Sequence, residues 1–339
     1  MSSQRCLDVF CHYLPPSFCQ AANRLQTRPL LMFERAQGIP VMVDLEARLE
    51  LMDQFPGYSQ ILSLASPTIE SLADPQGSPE LARIGNDAMA AAVSKHKHRF
   101  PGFIASLPMN NPEAALTEVS RAVEKLGAVG FQIYTNVNGQ PVDKREYLQV
   151  FEAAGELRVP VWLHPVRSMM TADYSEESYS KYDLWWAFGW PYETSIAMGR
   201  LVFSGIFDRY PDLVVITHHV GGMIPMMRGR IESGLSLMGT RNPPELSEAT
   251  DTNLKGLPLK AFQKFYADTA SFGSREAIEC GLAFFGADRL LFGTDMPFDP
   301  EEGIGYIRDT LNAIDEMALE LEERKAILSG NAHRLLGLR

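Results

Sequence analysis

Cysteine is scarce in this sequence. The 339-residue chain has four cysteines, at positions 6, 11, 19 and 280, and none of them forms a Cys-x-x-Cys pair. They are too sparse for a disulfide framework. This scarcity favours a reducing compartment, and we therefore predict a cytoplasmic protein.

Dense clusters of positive charge and long apolar runs are also absent from the sequence. The formal net charge is −11, and the short basic stretch at 95–99 ends a helical pattern, so we expect it to be solvated. A nucleic-acid-binding protein would usually carry a basic patch. The apolar runs fall short of the roughly 18 residues that span a bilayer. Asp8 and His12 interrupt the apolar stretch that a signal peptide would need. The sequence therefore predicts neither a nucleic-acid nor a membrane partner.

Short apolar runs alternate with helical patterns along the whole chain. Hydrophobic residues make up 45% of the sequence and charged residues 22%, as is typical of a folded globular protein. Each run is rich in Val, Ile, Leu or Phe, which is typical of strands buried on both faces. The eight runs cover residues 7–10, 60–65, 103–109, 128–134, 159–164, 213–218, 264–269 and 290–295.

Segments with helical periodicity lie between these runs. In the clearest, 111–126, Asn111 can cap the helix, Pro112 suits its first turn and Gly127 can end it. Others cover 143–157, 301–314 and 319–336. Eight strands alternating with helices predict an α/β fold, a single (β/α)8 TIM barrel over residues 1–339. The rival is an open doubly wound sheet, but no G-x-G-x-x-G motif follows the first strand.

Three connections are too long to be simple turns. They cover residues 13–58, 165–190 and 235–262. The first two follow the carboxyl ends of strands, so we expect them as insertions at the C-terminal face of the barrel, where they would wall the active site. The third follows a helical pattern, and its side of the barrel stays open.

Ionisable side chains end several of the apolar runs. Because the carboxyl ends of barrel strands converge on one mouth, these residues are expected to form a shared functional cluster. Histidine nitrogen and carboxylate oxygen suit zinc or manganese, and a catalytic site keeps one position open. The residues concerned are His12, His164, His218, His219 and Asp295, and Asp268 lies near the end of the seventh run.

The order of five motifs resembles the amidohydrolase superfamily over nearly the whole chain. The motifs are LDVFCHYLP at 7–15, VGFQIYTNVNG at 129–139, VWLHP at 161–165, THHVGGMIP at 217–225 and FGTDMP at 292–297. The resemblance is strongest to the group that contains the aminocarboxymuconate semialdehyde, γ-resorcylate and carboxyvanillate decarboxylases. The resemblance implies that the protein is an enzyme and that its (β/α)8 barrel is of the type found in metal-dependent hydrolases.

The resemblance also implies roles for individual residues. His12, His164 and Asp295 match metal ligands, while His219 matches a catalytic acid/base and Asp295 a proton shuttle. The group uses one divalent metal ion per chain, with zinc expected first and manganese as the alternative. It uses no carbamylated lysine, in agreement with Gln132 on the fourth strand.

Phe10 departs from the family pattern, in which a histidine or glutamate occupies this position. Phenylalanine cannot bind a metal, so metal retention is open at this site. Strand alternation predicts that Asp8, Phe10 and His12 share one face, with Asp8 two residues deeper, about 6–7 Å away. Cys11 is expected to face the helices as a core residue. We expect Phe10 to contact the substrate instead.

The substrate-binding candidates besides Phe10 are Arg167 and Trp190. Arg167 could pair with a substrate carboxylate, and the aromatic residues of 165–190 would suit a planar ring. The leading hypothesis is a carboxy-lyase that decarboxylates a small aromatic or unsaturated carboxylic acid. A metal-dependent hydrolase of an amide, ester or lactone, or a hydratase, is the alternative, and a metal-free binding protein is the second alternative. The resemblance also suggests a homodimer.

Overall fold

The eight apolar runs all form parallel strands, which confirms the predicted (β/α)8 barrel. The computed structural model describes residues 5–26 and 30–338. Residues 1–4 and 339 of the predicted domain, and residues 27–29 of the predicted connection 13–58, lie outside the described residues. The strands are β1 (Cys6–Tyr13), β2 (Tyr58–Leu64), β3 (Gly102–Ser106), β4 (Gly130–Tyr134), β5 (Val161–His164), β6 (Val215–Thr217), β7 (Tyr266–Asp268) and β8 (Leu290–Leu291).

Each strand pairs in parallel with the next one in the chain, from β1 through to β8. The segment after β8 continues beside β1. There the Val9 amide donates to the Phe292 carbonyl, and the Asp295 amide donates to the Phe10 carbonyl, both at 2.9 Å. These bonds close the sheet into a barrel. A short antiparallel hairpin of Asn136–Val137 and Gln140–Pro141 follows β4.

Helices surround the barrel and cover its outer face. Asn111 caps the predicted helix 111–126 by accepting from the Ala114 amide at 3.2 Å, and Gly127 ends it with φ 73°. The helices are α1 (Pro16–Leu25), α2 (Leu31–Gln37), α3 (Pro40–Val43), α4 (Leu45–Met52), α5 (Ile69–Leu72), α6 (Ser78–Lys95), α7 (Pro112–Leu126), α8 (Arg145–Leu157), α9 (Leu184–Ala187), α10 (Gly189–Phe203), α11 (Ile206–Arg209), α12 (Pro258–Phe262), α13 (Arg275–Phe285), α14 (Ile304–Glu316), α15 (Leu321–Lys325) and α16 (Asn331–Leu336). A π-helical turn, Ala326–Gly330, joins α15 to α16 within the predicted helix 319–336.

Apolar side chains form one core inside the barrel and another between the strands and helices. The inner core contains Leu7, Val9, Ile61, Trp162 and Ile216, all fully buried. The outer core is larger and includes the inward faces of the helices. Both faces of each strand are therefore buried, which is why the runs read as continuous apolar stretches.

The long connections differ in structure. The first, after β1, contains α1 to α4, and the second, 165–190, contains the short α9 and the first two residues of α10. The third packs beside α10 and α11, where the Asn253 amide donates to the Phe203 carbonyl and the Lys255 amide to Asp208. The helix α11 precedes β6 and therefore lies near the amino end of that strand. The third connection packs against α11, so it lies toward the end of the barrel opposite the strand carboxyl ends. No helix among the described residues has the length and apolarity to cross a membrane.

A bulge in β1 corrects the predicted alternation of that strand. The register against β2 shifts between Asp8 and Cys11. Leu7 and Val9 face the inner core, and so does Phe10, because the bulge adds one residue. Asp8 consequently faces outward, where Tyr58 donates to its carboxylate at 2.6 Å. The prediction that Asp8 shares a face with Phe10 and His12 was wrong.

Candidate active site

Side chains from four strand ends converge at the mouth of the barrel. His12 lies near the end of β1, His164 ends β5, His218 and His219 follow β6, and Asp295 follows β8. The ring centroids lie 5.2 Å apart for His12 and His164, 5.1 Å for His164 and His218, and 3.8 Å for His218 and His219. We call these five residues the mouth cluster. The structure thus brings together the strand-end residues, as the sequence predicted.

The potential ligand atoms of the mouth cluster form two overlapping groups. Those of His12, His164 and His218 lie within 4.8 Å of one another, and so do those of His218, His219 and Asp295. The Nε2 atom of His12 lies 3.0 Å from Oδ1 of Asp295 and connects the two groups. His219 Nε2 lies 3.4 Å from Oδ2 of the same carboxylate.

The donor atoms of the mouth cluster fit a divalent metal ion. His12 Nε2 and His218 Nε2 are buried and lie 3.0 and 3.3 Å from Oδ1 of Asp295, but neither is aligned for a hydrogen bond with it or with another described residue. Leaving buried polar atoms unpaired costs about 1–3 kcal/mol each, so such atoms call for another partner. Imidazole nitrogens beside a carboxylate are the ligands that zinc, manganese and similar ions accept.

Burial and mutual charge set the protonation states of the cluster. Burial, together with the neighbouring His218 and His12, holds the pKa of His164 well below its usual value. Burial alone would raise the pKa of Asp295, but the charge of His218 and the close ring nitrogens of His12 and His219 hold it well below the usual range. Burial would lower the pKa of His218, but Asp268 and Asp295 raise it to about 9. Asp295 is therefore ionised and His164 neutral at neutral pH, the states in which each can bind a metal, whereas His218 is protonated and would release its proton on binding one.

The sequence interpretation assigned no role to His218 or Asp268, which form a buried pair. His218 Nδ1 is hydrogen-bonded to Oδ2 of Asp268, and both side chains are fully inaccessible. The other Asp268 oxygen accepts from the amides of Ala270 at 3.0 Å and Val220 at 3.3 Å. Strand alternation from inward-facing Ile216 could have placed His218 inside the barrel.

The turn after β6 holds its residues in an uncommon backbone conformation. His219 and Val220 have φ values of 53° and 58°, and Asp295 across the mouth has 64°. Positive φ is a clear outlier for a β-branched residue and costs of the order of 1–3 kcal/mol. Gly222 allows the turn to approach α10, because a Cβ there would lie 2.5 Å from the Pro191 carbonyl oxygen. Such strain is concentrated at functional sites.

Phe10 lies among the histidines rather than at the surface. Its ring stacks on His218, with centroids 3.9 Å apart and planes inclined by 16°. The centroids of His12 and His164 lie 5.8 and 5.7 Å away. Phe10 is fully buried, so the structure places it inside the mouth cluster, and its contact with substrate stays a prediction.

Trp190 and Arg167 occupy different surroundings. The Trp190 ring lies 5.7 Å from His164 and 6.2 Å from His219, and its buried indole Nε1 has no hydrogen-bond partner in the described part of the chain. Trp190 therefore walls the mouth cluster and has a donor to offer. Arg167 forms an ion pair with Glu193, with Nη1 and Oε1 3.0 Å apart.

Comparison with known proteins identifies the family. The amidohydrolase family model matches residues 11–338. A γ-resorcylate decarboxylase of Polaromonas sp. strain JS666 is 33% identical over 304 residues, which cover 86% of this chain and 87% of that protein. A 2-amino-3-carboxymuconate-6-semialdehyde decarboxylase of Dictyostelium discoideum is 30% identical over 296 residues, covering 87% of this chain and 77% of that protein.

A solved structure supports the same relationship. The dihydroxybenzoic acid decarboxylase of Polaromonas sp. JS666, with bound manganese and the inhibitor 2-nitroresorcinol, aligns with a TM-score of 0.77 at 26% identity. The alignment covers 98% of this chain and 97% of that chain. The predicted family is confirmed: this chain belongs to the amidohydrolase family, and its relatives are metal-dependent decarboxylases.

Proposed function

We propose that this protein is a metal-dependent decarboxylase that releases carbon dioxide from a small aromatic or unsaturated carboxylic acid. The observation that carries the proposal is the mouth cluster, in which unpaired ring nitrogens of His12 and His218 lie beside the carboxylate of Asp295 at the barrel mouth. We extend the domain to the whole of residues 1–339. We infer the reaction class, decarboxylation, from the relatives that are decarboxylases.

His12, His164 and Asp295 are the proposed ligands of one divalent ion. Bound there, the ion would neutralise anionic oxygens of the substrate and orient them. The nitrogen-rich ligand set favours zinc, whereas manganese is bound in the aligned dihydroxybenzoic acid decarboxylase. Metal analysis of protein purified without chelators distinguishes the two ions.

Asp295 and His219 are the proposed proton carriers. Decarboxylation breaks the bond between a substrate carbon and its carboxylate, and the electron pair remains on that carbon, which takes up one proton. Asp295 is ionised in the resting protein and can accept a proton before the chemical step. His219 Nε2, 3.4 Å from that carboxylate, is placed to exchange the proton with it.

Trp190, Arg167 and Phe10 are the proposed substrate contacts. The unpaired indole N–H of Trp190 can donate to a substrate oxygen, and its ring can pack against a planar substrate. Arg167 can orient a carboxylate through guanidinium nitrogens that Glu193 does not occupy. Phe10 would limit the depth to which a substrate enters, since its ring fills the floor beside His218.

We further propose a cytoplasmic homodimer. All four cysteines are free, which suits a reducing compartment. The segment 165–196 exposes several large apolar side chains, including Tyr182 at 88%, Tyr174 at 75% and Phe188 at 73%. Such patches commonly mark contacts between proteins. Light scattering on the purified protein measures the oligomeric state directly.

The test of the proposed function is a substrate screen that measures released carbon dioxide. Hydroxybenzoic and muconic acids are incubated with protein loaded with manganese or zinc, and with chelator-treated protein. We expect carbon dioxide and the decarboxylated product in equal amounts, only with metal present. Acid release from esters or lactones without carbon dioxide would establish the hydrolase alternative instead. Equal turnover by metal-free protein would refute metal dependence.

A further inference from the structure

His218 has the geometry of a metal ligand, although its neighbour His219 is the residue that matches the family histidine. Ile216 points into the inner core, and the alternation of β6 directs His218 the same way, toward the barrel mouth. Thr217 between them points outward, where its hydroxyl donates to the Tyr266 carbonyl at 3.0 Å. The strand itself therefore aims His218 at the centre of the site.

The hydrogen bonds of His218 leave one ring nitrogen free. Nδ1 is bound by the Asp268 carboxylate, which two backbone amides hold in place. Nε2 is buried and has no hydrogen-bond partner within the described chain. A carboxylate that binds one nitrogen of a histidine and leaves the other for a metal is the usual arrangement at metal sites.

The free nitrogen lies with those of two proposed ligands. Ligand atoms of His12, His164 and His218 fall within 4.8 Å of one another, and His218 Nε2 is 3.3 Å from Oδ1 of Asp295. The 3.3 Å separation suits two atoms of one coordination sphere, since zinc–nitrogen bonds are about 2.0–2.1 Å long.

Phe10 is the reason that this site needs another ligand. Its fully buried side chain stands where the family has a metal-binding residue and offers no ligand atom. The Phe10 ring stacks on the imidazole of His218 at 3.9 Å and fixes the plane of that ring. Phe10 therefore stands in the place of one ligand and also holds the ring of His218 in position.

We infer that His218 is a ligand of the metal in this protein, taking the place of the ligand lost at Phe10, with Asp268 as its positioning residue. This inference rests on the proposed function, since it concerns the same metal. It gives the site four protein ligands, from His12, His164, His218 and Asp295.

The test is metal binding by chelator-stripped protein, followed with cobalt(II) and by elemental analysis after manganese or zinc loading. The key variant is His218→Asn, whose amide can still donate to Asp268 in place of Nδ1 but has no atom at Nε2. Replacement of the exposed His98 by asparagine is the matched control. The visible absorption of bound cobalt reports the ligand set without any assay of activity.

We expect one ion per chain in the wild type and in His98→Asn. Removing a ligand should cost more than removing a residue that hydrogen-bonds to a ligand, so His218→Asn should bind at least about 100-fold more weakly and show an altered cobalt spectrum. Asp268→Asn should weaken binding by about 10–100-fold. The double variant Phe10→His, His218→Asn should recover most of the lost affinity, because it restores a ligand from β1.

Wild-type affinity and an unchanged cobalt spectrum in His218→Asn would overturn the inference, and the decarboxylase proposal would stand if carbon dioxide release persisted. Failure of the double variant to regain affinity, with its circular dichroism native, would refute the exchange of ligand between positions 10 and 218. A wild-type protein that binds no metal would overturn this inference together with the proposed metal-dependent function.

Discussion

Two buried polar groups of residues lie on opposite faces of β1, and they satisfy their hydrogen bonds differently. The outer one, which we call the outer network, comprises Asp8, Arg48, Tyr58, Gln60 and Thr294. Tyr58 and Thr294 each donate to Asp8 at 2.6 Å, and Arg48 Nη1 donates to Gln60 at 2.9 Å. Every side-chain polar atom of this network has a partner.

The mouth cluster on the inner face leaves three of its histidine ring nitrogens unpaired. His12 Nε2, His218 Nε2 and His219 Nδ1 are buried without a hydrogen-bond partner among the described residues. Both groups bury charge at similar depth, so burial alone does not separate structure from function. In the outer network the polar atoms satisfy one another, whereas the mouth cluster keeps ring nitrogens that can bind a partner from outside the chain.

The two groups meet at the backbone of His12. Arg48, on α4, binds the carbonyl of His12 through Nη2 and the carbonyl of Val41 through Nε at 3.1 Å. The saturated network therefore fixes the strand whose other face presents an unsaturated ligand. Stability and function are thus divided between the two faces of one strand.

The largest expected effect comes from removing the charge at the centre of the mouth cluster. Asp295→Asn should lower kcat by about 10²–10⁴-fold, because the variant can neither carry a proton nor bind a cation strongly. The melting temperature should stay close to that of the wild type, since this carboxylate is reserved for function. Steady-state kinetics and thermal melting measure both, with exposed Asp212→Asn as control. Full turnover by Asp295→Asn would exclude its catalytic role.

The converse change breaks the outer network. Arg48→Met should lower the free energy of unfolding by about 3–5 kcal/mol, because it leaves the carbonyl groups of His12 and Val41 and the amide oxygen of Gln60 buried without their donor, at about 1–3 kcal/mol each. Denaturant unfolding measures the loss, and the exposed Arg24→Met should lie within about 0.5 kcal/mol of the wild type. A stable Arg48→Met protein with impaired metal binding would reverse the division of roles between the two faces.

The fold and the residues of the mouth cluster could be predicted because each depends on local sequence. Apolar runs mark buried strands, and a polar residue at the end of a run marks the mouth, as His164 and Asp295 do. Pairings across the chain leave no such mark. Arg48 lies in a helix of a long connection, and no local pattern shows that it reaches His12.

Two errors of detail have equally physical causes. A single extra residue in β1 moved Asp8 to the outer face, and strand alternation cannot reveal a bulge. Family resemblance pointed to His219, so His218 went unassigned although it completes a ligand group in space. Resemblance transfers the residues that match the family pattern, whereas the role we infer for His218 depends on Phe10, where this chain departs from that pattern.

The outer network should also make the stability of the protein depend on pH, through the carboxyl group of Asp8. Burial raises the pKa of Asp8 to about 6 from an ordinary 3.8, despite hydrogen bonds from Thr294 and Tyr58. The folded state thus binds this proton more tightly than the unfolded state, so the Asp8 contribution to stability falls as pH rises from about 4 to 6. In Asp8→Asn that fall is absent.

The stability difference between the wild type and Asp8→Asn should therefore change by about 2 kcal/mol between pH 4 and 6, in favour of the variant at the higher pH. Any cost of placing an amide beside Thr294 and Tyr58 is the same at each pH and does not alter this trend. Denaturant unfolding at several pH values measures it. A pH-independent difference would mean that the outer network keeps Asp8 fully ionised.

Arg167 is the intermediate case and gives the smallest expected effect. Its Nη1 is paired with Glu193, as in a structural network, while its buried Nε has no partner among the described residues, as in the mouth cluster. If the guanidinium orients a substrate carboxylate, Arg167→Ala should raise KM up to about tenfold, a loss of roughly 1.4 kcal/mol, with little change in kcat. Glu193→Gln should then lower KM, because it frees the cation for substrate. Unchanged KM in both variants, with a lower melting temperature, would place Arg167 with the outer network as a purely structural residue.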